Sequence, residues 1–547
     1  MKKRYTFLLK NWLRISCVAA FTAAFPVGAS AQNGLPIQWD KTFGGSSGDV
    51  LSSVKQTTEG GYILGGYSSS GISGDKSQGN QGTVAYTTYD FWVVKVDASG
   101  NKTWDKTFGG GSDDWLRSLQ QTSDGGYILG GGTYSGIGGD KSQASQGLFD
   151  YWIIKLNSNG NKLWDKTFGG SDTEAFASLQ QTSDGGYILG GTSISGISGD
   201  KSQARKGAVD YWIVKLDANG NKIWDKTFGG NLGAGTYNFS KIEQTSDGGY
   251  ILGGSSSDDI GADKTQPSRG GADYWVVKID PAGNKLWDKT LGGSNTEILT
   301  SLQQTSDGGY ILGGYSDSGL NGDKSQAGFG GKDYWVVKLD GAGNKTWDKT
   351  FGGPGHDELS ALQQTSDGGY ILGGSADSVF NQSFRNTDYW VLKLDSAGNK
   401  IWEQTIGGNG EDGLQSLQQT SDGNYILGGF SWSAASRDKT QASQGGYDFW
   451  IVKLGPEVLA TAENKPDFNI SIFPNPNQGK FNLQFSNINA PAAEVIITDL
   501  LGRVVLQQLV NTRSQGLREL EIPAVKGMYL VQVKAGNQTS TRKIVVE

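Results

Sequence analysis

The chain has 547 residues, among them 85 glycines and 11 prolines, with a formal net charge of −7. Glycine runs at roughly twice its ordinary frequency while aromatic residues stay plentiful, so neither a disordered tract nor a collagen repeat fits, and the length allows more than one domain. The acidic balance argues against nucleic acid as a partner. A single cysteine, Cys17, and a single histidine, His356, exclude disulfide frameworks, cysteine nucleophiles and Cys/His zinc sites from the mature protein.

Lys2, Lys3, Arg4, Lys10 and Arg14 form a basic head, Ile15 to Val27 an apolar run, and Ala29-Ser30-Ala31 a small-residue motif. This pattern predicts a secretory signal peptide over 1–31, cut between Ala31 and Gln32. Its removal takes five basic residues and no acidic one, leaving the mature chain more acidic still. The apolar run is too short to span a bilayer, and no other stretch approaches about 18 apolar residues, so no transmembrane segment is expected in the mature chain.

From residue 32 the chain repeats itself. A WDKTFGG-like block has its Trp at Trp39, Trp104, Trp164, Trp224, Trp287, Trp347 and Trp402, at spacings of 65, 60, 60, 63, 60 and 55 residues. A GGYILGG-like block recurs around Tyr62, Tyr127, Tyr187, Tyr250, Tyr310, Tyr370 and Tyr425, and an aromatic–Trp block around Trp92, Trp152, Trp212, Trp275, Trp335, Trp390 and Trp450. One unit predicts four short strands: Ser178 to Thr182, Tyr187 to Leu189, Asp210 to Leu216 and Ile223 to Phe228. Ser183-Asp184-Gly185-Gly186 and Asp217-Ala218-Asn219-Gly220-Asn221 supply tight turns between them. The third strand is apolar on both faces and predicts a position covered on both sides; the charged fourth suits an outer edge.

Four antiparallel strands per 60 residues point to a β-propeller blade, with a linear solenoid as the competing arrangement. The array opens on a lone fourth strand, Gln38 to Phe43, and closes on a third strand, Asp448 to Leu454. The first strand can therefore complete the last blade. The expected architecture is all-β: a seven-bladed β-propeller of four-stranded blades over 32–454, a linker over 455–467, and a small Ig-like β-sandwich over 468–547. Tight turns fall on one rim; the second-to-third loops and the blade crossings fall on the other, where binding is expected to concentrate.

The run from Val214 to Trp224 resembles the tryptophan-docking repeat of quinoprotein-like propellers, which implies a structural role for the Trp. Thr182-Ser183-Asp184-Gly185-Gly186 resembles an Asp box, with Leu189 in place of the usual closing Trp. In the tail, Phe473-Pro474-Asn475-Pro476, Gly479, Asp499 to Arg503 with Gly502 between, Lys526-Gly527-Met528-Tyr529 and Lys543-Ile544-Val545-Val546 closely resemble the type A C-terminal sorting domain of type IX secretion cargo. The resemblance implies recognition by the type IX machinery and a secreted or surface-held product of a Gram-negative bacterium. An ordinary Ig-like binding module is the other reading of these strands.

Candidate chemistry lies on the long loops. Asp75, Asp140, Asp200, Asp263, Asp323 and Asp438 each open an Asp-Lys-Ser/Thr-Gln string. These strings read either as polar contacts for a glycan or a Ca²⁺-linked ligand, or as Asx turns serving their own loops. The crossings add Asp113, Asp114, Asp172, Glu174, Asp357, Glu358, Glu411 and Asp412, without the DxDxDG pattern of a calcium loop. No cofactor is expected. The irregular fourth crossing and the shortened sixth loop are expected to expose Tyr237, Phe239, Phe380 and Phe384 for stacking on sugar. His356, in Gly355-His356-Asp357-Glu358, reads as a solvated loop side chain rather than a catalytic base. The expected function is a secreted or surface propeller that binds a glycan or a protein. A glycoside hydrolase with paired carboxylates is the alternative.

Overall fold

The computed structural model describes residues 34–82, 88–231, 237–377, 387–456, 469–486, 490–499, 503–512, 517–523, 525–535 and 538–547. The signal segment and its Ala31–Gln32 junction lie outside the described residues, as do Phe380, Phe384 and Gly502. The chain divides into two compact units, Met1–Pro456 and Glu457–Glu547.

The first unit holds seven four-stranded antiparallel sheets. In the third blade the strands are Glu174–Gln181 (inner), Tyr187–Ser193, Asp210–Leu216 and Lys222–Phe228 (outer). The inner strand starts at Glu174 rather than Ser178, and the second runs on through its glycine pair. Those glycines admit the neighbouring sheets: a Cβ on Gly190 would meet the Phe239 ring at 2.5 Å, and one on Gly191 the Tyr151 hydroxyl at 2.5 Å. Every residue of the third strand is buried, as its two apolar faces require.

Ile37–Phe43 pairs antiparallel with Asp448–Leu454, placing Trp39 opposite Lys453 and Phe43 opposite Phe449. The earliest described strand thus becomes the outer strand of the seventh blade. The apolar cores lie between sheets, not within them. Ile188, Tyr211 and Ile213 of the third blade pack against Phe239, Ile242 and Trp275 of the fourth. Phe43, Ile426 and Phe449 of the seventh pack in the same way against Leu51, Val54 and Tyr62 of the first. A linear stack would leave that last core uncovered, so the ring reading holds.

Polar staples cross each junction. The second Gln of every inner strand accepts the N–H of the preceding blade's turn: Thr58 to Gln121, Ser123 to Gln181, Ser183 to Gln244, Ser246 to Gln304, Ser306 to Gln364, Ser366 to Gln419 and Ser421 to Gln56, all at 2.8–2.9 Å. Seven bonds of one kind close on themselves. The outer-strand Trp of each blade also meets the next blade's Tyr edge-on, from Trp39 on Tyr62 at 5.8 Å to Trp402 on Tyr425 at 6.1 Å. The turn glycine rests on the same Trp, as Gly220 does on Trp164, which is the docking role the tryptophan resemblance implied.

Within a blade, the buried Asp of the WDK block accepts the indole N–H of the third-strand Trp; Asp225 takes that of Trp212 at 3.1 Å and the Ser202 N–H at 2.9 Å. Lys215, buried on the third strand, reaches the turn carboxylate of Asp184 at 2.9 Å. The Asp-box-like turn therefore anchors a lysine. Because Asp225→Ala strands buried donors, it is expected to destabilise the ring by about 2–4 kcal/mol. The sixth blade carries the half-exposed Glu403 at this place, paired with Lys400 at 2.7 Å. Glu403→Ala is expected to cost well under about 1 kcal/mol; thermal unfolding of both variants checks the contrast.

The second unit is a two-sheet sandwich, with strands Asn469–Phe473, Lys480–Ser486 and Arg518–Glu521 in one sheet and Ala492–Asp499, Val504–Asn511, Gly527–Ala535 and Gln538–Val546 in the other. Its core is built from Phe481, Leu483, Val495, Ile497, Val531, Val533 and Ile544. Alternating inward residues and seven strands match the expected sandwich.

Candidate functional site

On the long-loop rim, each Asp-Lys-Ser/Thr-Gln string is sewn to the scaffold. The carboxylates of Asp75, Asp140, Asp200, Asp263, Asp323 and Asp438 accept N–H bonds at 3.1–3.3 Å from Gly44, Gly109, Gly169, Gly229, Gly292 and Gly407, each in the crossing that leaves the preceding blade. The string's Lys is buried and in five blades donates to the outer-strand Thr, as Lys201 does to Thr227 at 2.6 Å. Its Gln accepts that Thr's N–H, as Gln203 does at 2.7 Å. All six Asp side chains remain half-buried, and Asp75, Asp200, Asp263 and Asp323 also take a side-chain partner, from Gln444, Gln146, Lys206 and Arg269.

Of the four aromatics expected on the surface, Phe239 is corrected. It is 4% exposed and packs edge-to-face on Tyr211 at 4.9 Å, because it takes the inner-strand core position held elsewhere by Leu51 or Leu116. Tyr237 opens the fourth inner strand at the place where other blades carry an acid. A different aromatic cluster forms instead, with Tyr134 exposed, Tyr67, Tyr89 and Trp115 half-buried and Phe149 buried. Tyr67, Tyr89, Trp115, Tyr134 and Phe149 stack successively at 4.4–6.5 Å, with the Arg117 guanidinium 5.5 Å from the Tyr67 ring and 5.9 Å from that of Trp115. Its signal was Trp115 itself, where other inner strands carry Val50, Ala175, Asn238, Ile298, Glu358 or Gly413. The same long-loop position also exposes Ile72, Ile137, Ile197, Ile260 and Leu320, at 57% to 74% of their surface, in five consecutive blades.

A cavity of about 130 Å³ between the sixth and seventh blades is lined by His356, Glu358, Asp377, Glu411 and Phe430. His356 Nδ1 accepts the Lys332 N–H at 3.1 Å, Lys332 pairs with Glu358 at 2.7 Å, and Tyr447 donates to Glu411 at 2.6 Å. Among the described residues, no group of three or more His, Cys, Asp or Glu is arranged to hold a metal ion. A larger cavity of about 310 Å³ follows the ring axis, lined by inner strands of all seven blades, with Lys55, Arg117, Lys241 and Glu243 among its residues. In five blades the first inner-strand Gln accepts a second inter-blade N–H, as Gln120 does from Gln181 at 2.8 Å, and Gln303, Gln363 and Gln418 of these also line the cavity.

Beneath the rim, the acid opening each third strand sits near the acid opening the next inner strand. Burial, reinforced by the neighbouring carboxylate, pushes Asp90 (beside Asp114), Asp273 (beside Glu297) and Asp448 (beside Asp49) up to about 7. Burial likewise raises Asp150 and Asp388 to about 6, helped by Glu174 and Asp412. In the turns of the opposite rim, burial is outweighed by hydrogen bonds from Thr and Lys, and Asp124, Asp184, Asp247, Asp307 and Asp367 fall to about 2. The raised group contributes stability that is complete below the ordinary Asp range and lost as pH rises toward 7. The lowered group contributes stability that is complete above that range and lost as pH falls toward 2. Thermal unfolding across pH is thus expected to show its maximum near pH 4–5, with a decline by pH 8. A flat profile from pH 4 to 8 would contradict the buried pairs.

In the tail, the Asn475 carboxamide accepts from the Val545 N–H at 2.8 Å and donates to the Lys543 carbonyl at 2.9 Å, tying the Pro474–Pro476 segment to the last strand. Gly479 has φ +90° and donates to Asn477 at 2.8 Å. Asp499 receives both the backbone N–H and the guanidinium of Arg503. Gly527 opens the strand that buries Tyr529, whose hydroxyl donates to the Val525 carbonyl at 2.8 Å. Each described motif residue thus closes a turn or pins a strand of the sandwich. Residues 471–547 match the family described as the secretion system C-terminal sorting domain.

The tail is a type IX sorting domain.

The protein carrying this sorting domain is therefore a secreted or cell-surface protein that engages the type IX machinery. Among the described residues, no helix is long and apolar enough to cross a membrane. Over 181 residues the chain is 25% identical to the regulatory protein FlaEY of Caulobacter vibrioides, spanning 31% of this chain and 19% of that one. Similar solved structures include puromycin hydrolase (TM-score 0.40, 11% identity, 82% of this chain and 60% of that one). A xylan β-1,4-xylosidase from Bacillus halodurans is also similar (TM-score 0.26, 13% identity, 69% of this chain and 91% of that one). The chain spans under two thirds of the length of both FlaEY and puromycin hydrolase.

Proposed function

We propose that the ring is a recognition platform, carried to the outer surface of a Gram-negative cell by its tail, that binds a glycan or a surface protein through the long-loop rim. The observation that carries this reading is the row of exposed aliphatic side chains, Ile72, Ile137, Ile197, Ile260 and Leu320, beside the Tyr67–Trp115–Tyr134 aromatic group. A rigid scaffold that exposes a large apolar side chain at one position in five consecutive loops repeats the same contact point from blade to blade. The aromatic rings offer flat faces for sugar and, with Arg117, for an acidic ligand.

Hydrolysis is the second reading, favoured by the cavity that both Glu358 and Glu411 line. Both readings meet in one experiment. The mature chain is applied to glycan arrays and to bacterial and host cell surfaces, and a polysaccharide panel is followed for reducing-end release. Binding without turnover is expected, reduced about tenfold or more by Ile137→Ser with Ile197→Ser and by Trp115→Ala. Turnover abolished by Glu358→Gln or Glu411→Gln would establish the hydrolase; absence of any binding would remove the platform.

A further inference from the structure

The inner strands are the most regular part of the repeat, reading Ser-Leu-Gln-Gln-Thr in most blades. Four axis-lining residues break it with charge: Lys55 stands where five blades have Gln, Lys241 where five have Ser, Glu243 where five have Gln, and Arg117 at a variable position otherwise neutral. Three of the four are cations, in a chain whose overall charge is −7.

Lys55 forgoes a structural bond. At its position, Gln120, Gln180, Gln303, Gln363 and Gln418 each accept a backbone N–H from the following blade, and Glu243 does so at 3.2 Å. The seventh donor of that ring is Gln121 N–H, opposite Lys55, and an ammonium cannot accept it. The two lysines share Glu243 as their nearby counter-charge, one carboxylate for two cations. Among the described residues, neither Lys55 nor Lys241 has a carboxylate within 4.0 Å, although the shorter-range pairs of the ring all do. Glu243 lies on the same strand as Lys241, with one oxygen committed to Gln304. Lys55 and Lys241 come from the first and fourth blades, nearly opposite each other around a sevenfold axis, and their charges repel across the lumen. The rest of the wall is neutral hydroxyl and carboxamide, such as Ser52, Thr300 and Gln415.

We propose that the axial cavity binds a small anion, with a carboxylate or phosphate group held between Lys55 and Lys241. The cavity, of about 310 Å³, is far larger than a water needs. Two cations facing one another in an enclosed lumen favour a charge-assisted contact with a shared anion over separate hydration. The lysine pair shares no residue with the long-loop rim, and the proposal does not rest on the platform reading.

The repeat itself supplies the test variants. Lys55→Gln and Lys241→Ser install the residue that most other blades already carry, so both are expected to fold, and Lys55→Gln is expected to melt higher because the Gln121 N–H gains its acceptor. Isothermal titration of the full mature chain with inorganic phosphate, sulfate and sodium glucuronate separates the oxyanions from a carboxylate sugar. One-to-one saturation by at least one of the three is expected, with affinity weakened about tenfold or more in each variant. Failure of all three to bind, or affinities unchanged in both folded variants, would overturn the proposal.

Discussion

The ring depends on hydrogen bonds from backbone N–H groups to the side chains at the end of each inner strand, which a glutamine pair makes in both directions. One carboxamide reaches back to the preceding blade's turn; the other reaches forward to the next inner strand. Each blade is thereby clamped to two neighbours at the narrow end of the junction, where apolar packing is thinnest. The apolar cores between sheets supply most of the driving force, but they are non-directional. The carboxamide bonds set the angular step, and a step repeated seven times must return to its start. Pairing of Ile37–Phe43 with Asp448–Leu454 is the consequence: the two ends of the unit are hydrogen-bonded into one sheet, so the seventh blade has its fourth strand like the others.

Seen from this constraint, repetition and function occupy different residues. The recurring Asp, Lys, Thr and Gln side chains are consumed in staples, whether they lie on the tight turns or on the long loops. Groups outside the repeat remain to act on something else: Trp115 and Arg117 at the first junction, Glu358 and His356 near the sixth, Lys55 and Lys241 on the axis. The exposed Ile and Leu row is the exception, a repeated position with no use inside the ring. The sorting tail follows the opposite rule, since its marked residues, Asn475, Gly479, Asp499 and Tyr529, each hold a turn or strand of their own sandwich.

Much of the architecture was legible in the sequence because it is written seven times. Strand identity followed from alternation and turn chemistry, and ring closure from the phase of the lone strands at 38–43 and 448–454. The inner strand was read short because its first half varies between blades; nothing local says that Glu174 pairs with Ser193. Phe239 was misplaced for a related reason. It follows an irregular crossing, yet the core position it fills is set by the Gly190 of the neighbouring sheet, a contact between residues far apart in sequence. The axial lysines were visible as departures from Ser-Leu-Gln-Gln-Thr but carried no meaning until the inner strands were known to face a common lumen.

The closed carboxamide ring can be read directly by hydrogen exchange. Thr58, Ser123, Ser183, Ser246, Ser306, Ser366 and Ser421 are all exposed turn residues, whose amides would exchange freely but for the Gln acceptors. The account predicts that all seven are protected to a similar degree and exchange only with large-scale opening of the ring. Fast exchange at Ser421 and Thr58, with protection at the other five, would mean that the seventh and first blades are not clamped, and would contradict it.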